Sequence, residues 1–290
     1  MQKPFPLNYT TTIRGTSMIL LVASNKDIAS LNIKEQILNN YEFLKTEDFQ
    51  ENPTYTADVN GKKVTLATLN EESVKAQYLP KDFPTAKMIV FISRHSSQSG
   101  KPTLSVHTPG NFGDAELGGL PKTLSVSPAQ AMQIALKALM HYKETLNLNY
   151  EVSFECTHHG PSLVVPTMFV ELGSCVEQWR DTKAAEAVAH SAMTVIANFT
   201  APTTTAVLGI GGTHYNQRFT LMTLVGEVVF GHMIPKYAVN LIDSEMLKQC
   251  VERTLEKVPL AVLDWKGIKS EDKPNLLSAL ETAGLPYKKV

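Results

Sequence analysis

Short apolar runs alternate along this chain with stretches in which apolar positions recur every third or fourth residue. "SMILLVAS" (17–24) and "AKMIVFIS" (86–93) are continuous and rich in Ile, Leu and Val, which predicts buried strands. "YEVSFECT", "PTMFVELG" and "TTTAVLGI" read as further strands. Between 54 and 69, "TYTADVNGKKVTLATL" sets Asn60-Gly61 between two alternating segments, the signal for a type I′ hairpin. Helical spacing takes over in "LNIKEQILNNY" through Ile33, Ile37 and Leu38. The strongest helix signal begins at Ser127, which caps, with Pro128 in the first turn and Gln130 completing an S-x-x-Q capping box. Met132, Ala135, Leu139 and Tyr142 then mark its apolar face. Residues 176–199 predict one long Ala-rich helix, "SEMLKQCVERTL" another, and "ETAGLPYKKV" a helix end stopped by Gly-Leu-Pro. Strands alternating with helices predict an α/β fold with a mixed, largely parallel sheet flanked by helices.

Composition narrows this picture without redirecting it. A chain of 290 residues with 43% hydrophobic and 19% charged content is ordinary globular material. We expect a single domain over 18–290, divisible into two lobes near 125, preceded by a disordered extension at 1–17. No run of about 18 apolar residues is present, so no membrane-spanning helix is expected. A net charge of −1 excludes a generally basic nucleic-acid coat but leaves room for a local basic patch. Cys156, Cys175 and Cys250 are odd in number, widely spaced and free of any CxxC pairing. That argues against a disulfide framework and for a reducing, cytoplasmic setting, with the thiols packing rather than reacting.

The informative residues are the histidines. Six of eight lie in or just after strand-like segments: His95, His107, His158, His159, His214 and His232. Glu171 in "FVELGS" holds an equivalent place. Strand ends of an open α/β sheet converge on a common crevice, so these side chains are expected to form one site. Imidazole and carboxylate are the donor set of a catalytic zinc, which brings the pKa of bound water towards ~7 and suits hydrolysis of an ester or amide. Glu155 or Asp114 would orient an imidazole from behind. Adjacent strand residues face opposite ways, so His158 and His159 share a site only if the chain has left the strand, as Gly160-Pro161 suggests. His141 and His190 fall within predicted helices and are read as surface or core residues. "GIGGTHY" (209–215) and "PGNFGDAELGG" (109–119) are Gly-rich turns that match neither a P-loop nor GxGxxG. Their glycines, Gly211 and Gly212 among them, let backbone amides approach an anion, with Asn111, Arg94, Arg218 and Lys236 beside them. For each of these cations, a phosphate contact and a solvated loop position are equally good readings.

Taken in order, "SRHSS", "HTPGNFGDAELGG", "ECTHHGP", "FVELGS" with Trp179, "GIGGTHYNQRFT" and "FGHMIPKYA" resemble the archaeal- and plant-type D-aminoacyl-tRNA deacylase family, as does "SNKDIASLNI" near the start. The resemblance runs from about Met18 to the C-terminal region; Cys175 stands where a small polar residue is expected. It implies a zinc-dependent esterase that frees a D-amino acid from the 3′ ribose of tRNA, on a fold similar to peptidyl-tRNA hydrolases and nucleoside phosphorylases. It further implies zinc ligands drawn from His95, His107, His158, His159, Glu171 and His232. Proton transfer would fall to Glu171, His158, His159 or His214, and the Gly-rich loops and their cations would hold the CCA end. The expected partner is D-aminoacyl-tRNA and the expected state a monomer or small homo-oligomer. The alternatives are a peptidyl-tRNA hydrolase or metallopeptidase on a related scaffold, and a non-catalytic RNA-binding protein.

Overall fold

The computed structural model describes residues 18–226 and 228–290, so the extension expected at 1–17 lies outside the described residues. The chain opens with β1 (Met18–Ser24), α1 (Ile28–Asn40), β2 (Leu44–Phe49), β3 (Asn52–Val59) and β4 (Lys62–Leu69). After a helical turn at Ser73–Lys75 come α2 (Leu79–Asp82), β5 (Ala86–Arg94), β6 (Thr103–His107), α3 (Ala129–Thr145), β7 (Glu151–Phe154) and β8 (Thr167–Gly173). Two helices follow, α4 (Val176–Trp179) and α5 (Thr182–Asn198), then β9 (Val207–Ile210), α6 (Gln217–Gly226) and β10 (Phe230–Ile234). The rest comprises α7 (Ser244–Glu252), β11 (Ala261–Leu263), a turn at Trp265–Gly267, α8 (Lys273–Thr282) and β12 (Tyr287–Lys289).

The strands form two sheets. The first, ordered β2-β3-β4-β1-β5-β8-β6-β7, is mixed; the second, β10-β9-β11-β12, is wholly parallel. The hairpin forms as predicted, with Val59 paired to Lys62 and both Asn60 (φ 53°) and Gly61 (φ 76°) left-handed, as a type I′ turn requires.

Two expectations are corrected. Residues 176–199 do not form one helix: Asp181 breaks the run and caps α5, accepting from Lys183 N and Ala184 N. The capping box at Ser127 does not form either, since its Oγ has no hydrogen-bond partner. The buried Glu256 carboxylate takes its place, accepting from Ala129 N at 3.0 Å and Gln130 N at 2.8 Å.

The two faces of the first sheet differ, and the difference positions the site. Val90, Ile92, Leu104, Val106, Val170 and Leu172 point to one face and pack with Ile33, Ile37, Met132, Leu136, Leu139 and Val188 of α1, α3 and α5. Alternate residues of the same strands point the other way. There Phe91 stacks on Phe169, with centroids 4.5 Å apart, among Leu20 and Val22. Register puts Ser93 beside Glu171, Glu171 beside Ser105, His107 beside Phe169 and Ser105 beside Ser153. The residues two further along β5 and β7 are His95 and Glu155. One face of β5-β8-β6-β7 is therefore a strip of histidine, glutamate and serine.

Candidate active site

Convergence occurs on that face rather than at a common row of strand ends, because β6 runs antiparallel to β8. Glu155 follows β7 directly and bridges to Tyr215, while Cys156 N bonds His214 O at 2.8 Å and Thr157 N bonds Met233 O at 2.9 Å. These bonds stitch the loop after β9, and β10, to the end of β7 and bring His214 over the strip. The chain does leave the strand at the paired histidines: His159 has φ 40°, and the two rings lie 4.2 Å apart by centroid, both on the site. Gly160 permits the turn, since a Cβ there would lie 2.2 Å from Gly119 N in the second Gly-rich loop.

Hydrogen bonding fixes which ring nitrogens face inward. His158 Nδ1 donates to Cys156 O at 2.9 Å and His159 Nδ1 to Gly160 O at 2.6 Å, leaving each Nε2 as a lone pair. His107 is fully buried and neither of its nitrogens has a hydrogen-bond partner; Glu171 Oε2 lies 3.6 Å from its Nε2, beyond hydrogen-bond reach. Ligand atoms of His107, His158 and His159 all lie within 4.8 Å of one another. Two further groups meet the same limit, Glu155 with His158 and His214, and His95 with Glu155 and Glu171.

The carboxylates hold the other side. Ser93 Oγ donates to Glu171 Oε1 at 2.7 Å, and His95 Nδ1 lies 3.1 Å from Glu155 Oε1 and 3.7 Å from Glu171 Oε2. His214 Nε2 meets Glu155 Oε2 at 2.9 Å, its Nδ1 is 3.2 Å from the Tyr237 hydroxyl, and the Tyr215 hydroxyl bonds His95 Nε2. Burial alone would raise both acids and lower every imidazole. His107 and His95 overcome it at Glu171, holding its pKa at about 2, and His214 and His95 hold Glu155 well below the carboxylate range. Glu155 and Glu171 in turn carry His95 up to about 11, and Glu171 raises His107. At the paired histidines burial prevails: with His107 alongside, it lowers His159 to about 4, and with His159 and His107 it takes His158 well below the usual range in spite of Glu155. The centre thus sets ionised acids and a charged imidazole beside neutral rings with free lone pairs. His95, His158, His159, Glu171 and His214 border a cavity of about 400 Å³ that opens to solvent, with His107 and Glu155 packed behind them.

Of the seven residues expected to meet, His95, His107, His158, His159, Glu171 and His214 do. His232 does not: its Nε2 lies 3.1 Å from both Ser125 O and Arg253 O, and its Nδ1 is 3.1 Å from Thr157 Oγ1, so both nitrogens are engaged. Glu155, expected behind the imidazoles, sits among them; Asp114 is exposed on its loop. Of the anion-binding candidates, only Arg94 lines the cavity. Asn111 Nδ2 pins its own loop through Gly118 O and Leu120 O, and Arg218 Nε pairs with Asp264 at 3.1 Å. Gly211 and Gly212, at φ 106° and 80°, turn the chain against Asp264 and Asn216, and Lys236 is exposed beside them. His190, in α5, bonds Tyr41, and His141 is exposed on α3. Ser93, Tyr215 and Tyr237 escaped the reading of the sequence; the signal for Ser93 is a hydroxyl at the polar end of an otherwise apolar strand, two residues before His95.

Fold and site together define an α/β protein with a buried imidazole–carboxylate centre under an open cavity. A family model described as D-aminoacyl-tRNA deacylase matches residues 82–288. The D-aminoacyl-tRNA deacylase of Thermococcus kodakarensis is 35% identical over 277 residues, 93% of this chain and 99% of that protein. That of Methanosarcina barkeri is 35% identical over 275 residues, 92% of this chain and 88% of that protein. A crystal structure described as a conserved protein of unknown function superposes with TM-score 0.83 at 31% identity, covering 96% of each chain. The chain belongs to the D-aminoacyl-tRNA deacylase family.

Proposed function

We propose that this chain hydrolyses the ester joining a D-amino acid to the 3′ ribose of tRNA, and that zinc held by His107, His158 and His159 assists it. One observation carries the metal reading. His107 is buried without a hydrogen bond, opposite two imidazoles whose Nδ1 atoms are committed to carbonyls and whose Nε2 lone pairs are free. An unpartnered buried polar group is destabilising, and ligation removes that penalty. Three protein nitrogens with a position left open suit catalytic zinc. When bound, zinc supplies Lewis acidity, which makes a neighbouring water a far stronger acid than in bulk.

Proton handling falls to the carboxylate side. Glu171 is aimed by Ser93 and stays ionised across neutral pH, so it accepts a proton from water entering the cavity. His95, charged between two acids, lets both remain ionised where burial would otherwise neutralise them. His214 is partly exposed, paired to Glu155 and steadied by Tyr237, and delivers a proton to the departing 3′ oxygen. The fit of a family acting on tRNA with three free thiols supports a cytoplasmic setting.

The test is hydrolysis of D-Tyr-tRNA beside L-Tyr-tRNA in metal-replete protein, after chelation, and with zinc returned. D-selective turnover that stops on chelation and resumes with zinc is expected. Cleavage of peptidyl-tRNA with D-Tyr-tRNA untouched, or tRNA binding with no turnover at all, would overturn the reading.

A further inference from the structure

The reaction above employs the histidines and glutamates of the cavity wall and leaves Lys26, Ser73, Val74, Arg94 and Leu117 without a task. Ser73 is 7% exposed, and its Oγ is buried with no hydrogen-bond partner. A buried hydroxyl without a partner beside a cavity calls for an explanation, and a ligand seated in the cavity supplies one. Arg94 is fixed at the same wall: Nη1 donates to Lys26 O at 2.8 Å, Nη2 lies 3.2 Å from Glu72, and the guanidinium sits 5.6 Å from the Trp179 ring. No ion pair among the described residues engages the Lys26 ammonium. The acid next to it, Asp27, is committed to Ser30 N and Arg94 N. The apolar members are adjacent too. A Cβ on Gly118 would lie 2.1 Å from Val74 O, so the loop bearing Leu117 is pressed onto the turn bearing Val74. Leu117 O accepts from Gly160 N at 3.0 Å, which places the 64%-exposed Leu117 beside the paired histidines.

Cations, one unsatisfied buried hydroxyl and an apolar shelf are the needs of a nucleotide: phosphate, base edge and base face. An amino-acid side chain would leave the cations unused. We propose that this wall is the subsite for the 3′-terminal adenylate of the tRNA. The base lies against Val74 and Leu117 with Ser73 Oγ bonding its edge, and the phosphate lies toward Lys26 and Arg94. The identity of the nucleotide rests on the deacylase reading; the subsite itself does not.

The probes are adenosine 5′-monophosphate and adenosine, titrated calorimetrically into the full-length protein and into Lys26→Ala and Ser73→Ala. The nucleotide should bind the wild type and compete with D-Tyr-tRNA in deacylation. Either substitution should weaken it about tenfold or more. Adenosine, lacking phosphate, should respond to Ser73→Ala and not to Lys26→Ala. Equal nucleotide affinity in all three proteins overturns the subsite, whether or not the wild type deacylates. Substitution-sensitive binding in a protein that turns over no D-aminoacyl-tRNA would uphold the subsite and remove the deacylase reading.

Discussion

His232 shows how one ring can be structural within a histidine-rich protein. Two carbonyls facing Nε2 can only accept, so the neutral ring carries its proton there, and Nδ1 accepts from Thr157. Burial lowers its pKa from 6.5 to about 4. Between those values the unfolded chain binds a proton that the folded chain refuses. Stability is therefore whole above the unfolded value and is lost as pH falls towards the folded one, by roughly 3 kcal/mol in full. Urea midpoints measured at neutral pH and at about pH 5 should fall more steeply in the wild type than in His232→Gln, which has no titrating ring. His107 should behave differently, since its nitrogens bond nothing. His107→Ala should lose zinc by equilibrium dialysis and turnover on the order of 10²-fold or more, with its far-ultraviolet circular dichroism unchanged. Sequence position separated these two poorly. Both follow strand-like runs, and only the backbone carbonyls of Ser125 and Arg253, brought in from remote segments, mark His232 as a packing residue.

Among the elements, α3 makes the contrast between local and distant information testable. Its apolar face was legible: Met132, Ala135 and Leu139 are all fully or nearly fully buried, as their spacing predicts. Its cap was not, because Ser127-x-x-Gln130 looks complete as a motif while the capping carboxylate comes from 256, over a hundred residues away. Glu256→Ala should lower stability by about 1–2 kcal/mol. Ser127→Ala, which removes an unbonded hydroxyl, should stay within about 0.5 kcal/mol. Comparing the two denaturant midpoints decides which residue caps. Similar logic explains the break before α5, where Asp181 ends an otherwise unbroken Ala-rich pattern by capping its own neighbours. β11 and β12 escaped notice because three residues hold too little alternation to register.

At the scale of the whole molecule, the α/β class and most of the site could be read from the chain, because apolar runs and the residues that follow them are local features. The meeting place could not, because strand direction depends on pairings between remote segments. Taking the strands as parallel puts the histidines along an edge; the antiparallel β6 puts them on a face, open to solvent through the cavity. That confinement bears on how tRNA is held. A net charge of −1 is not that of a generally basic nucleic-acid coat, and of the cations proposed from sequence only Arg94 lines the cavity, with Arg218 taken up by Asp264. Grip on the single-stranded 3′ end by Lys26 and Arg94 releases few counterions. On a log–log plot the affinity for tRNA should then fall with salt at a slope of about −0.7, that of the one phosphate engaged. Filter binding across a salt series with uncharged tRNA measures it. A slope several times steeper would place most of the contact outside the cavity, on a surface that carries the body of the tRNA. A flat line would mean that recognition runs through the base and the ester alone.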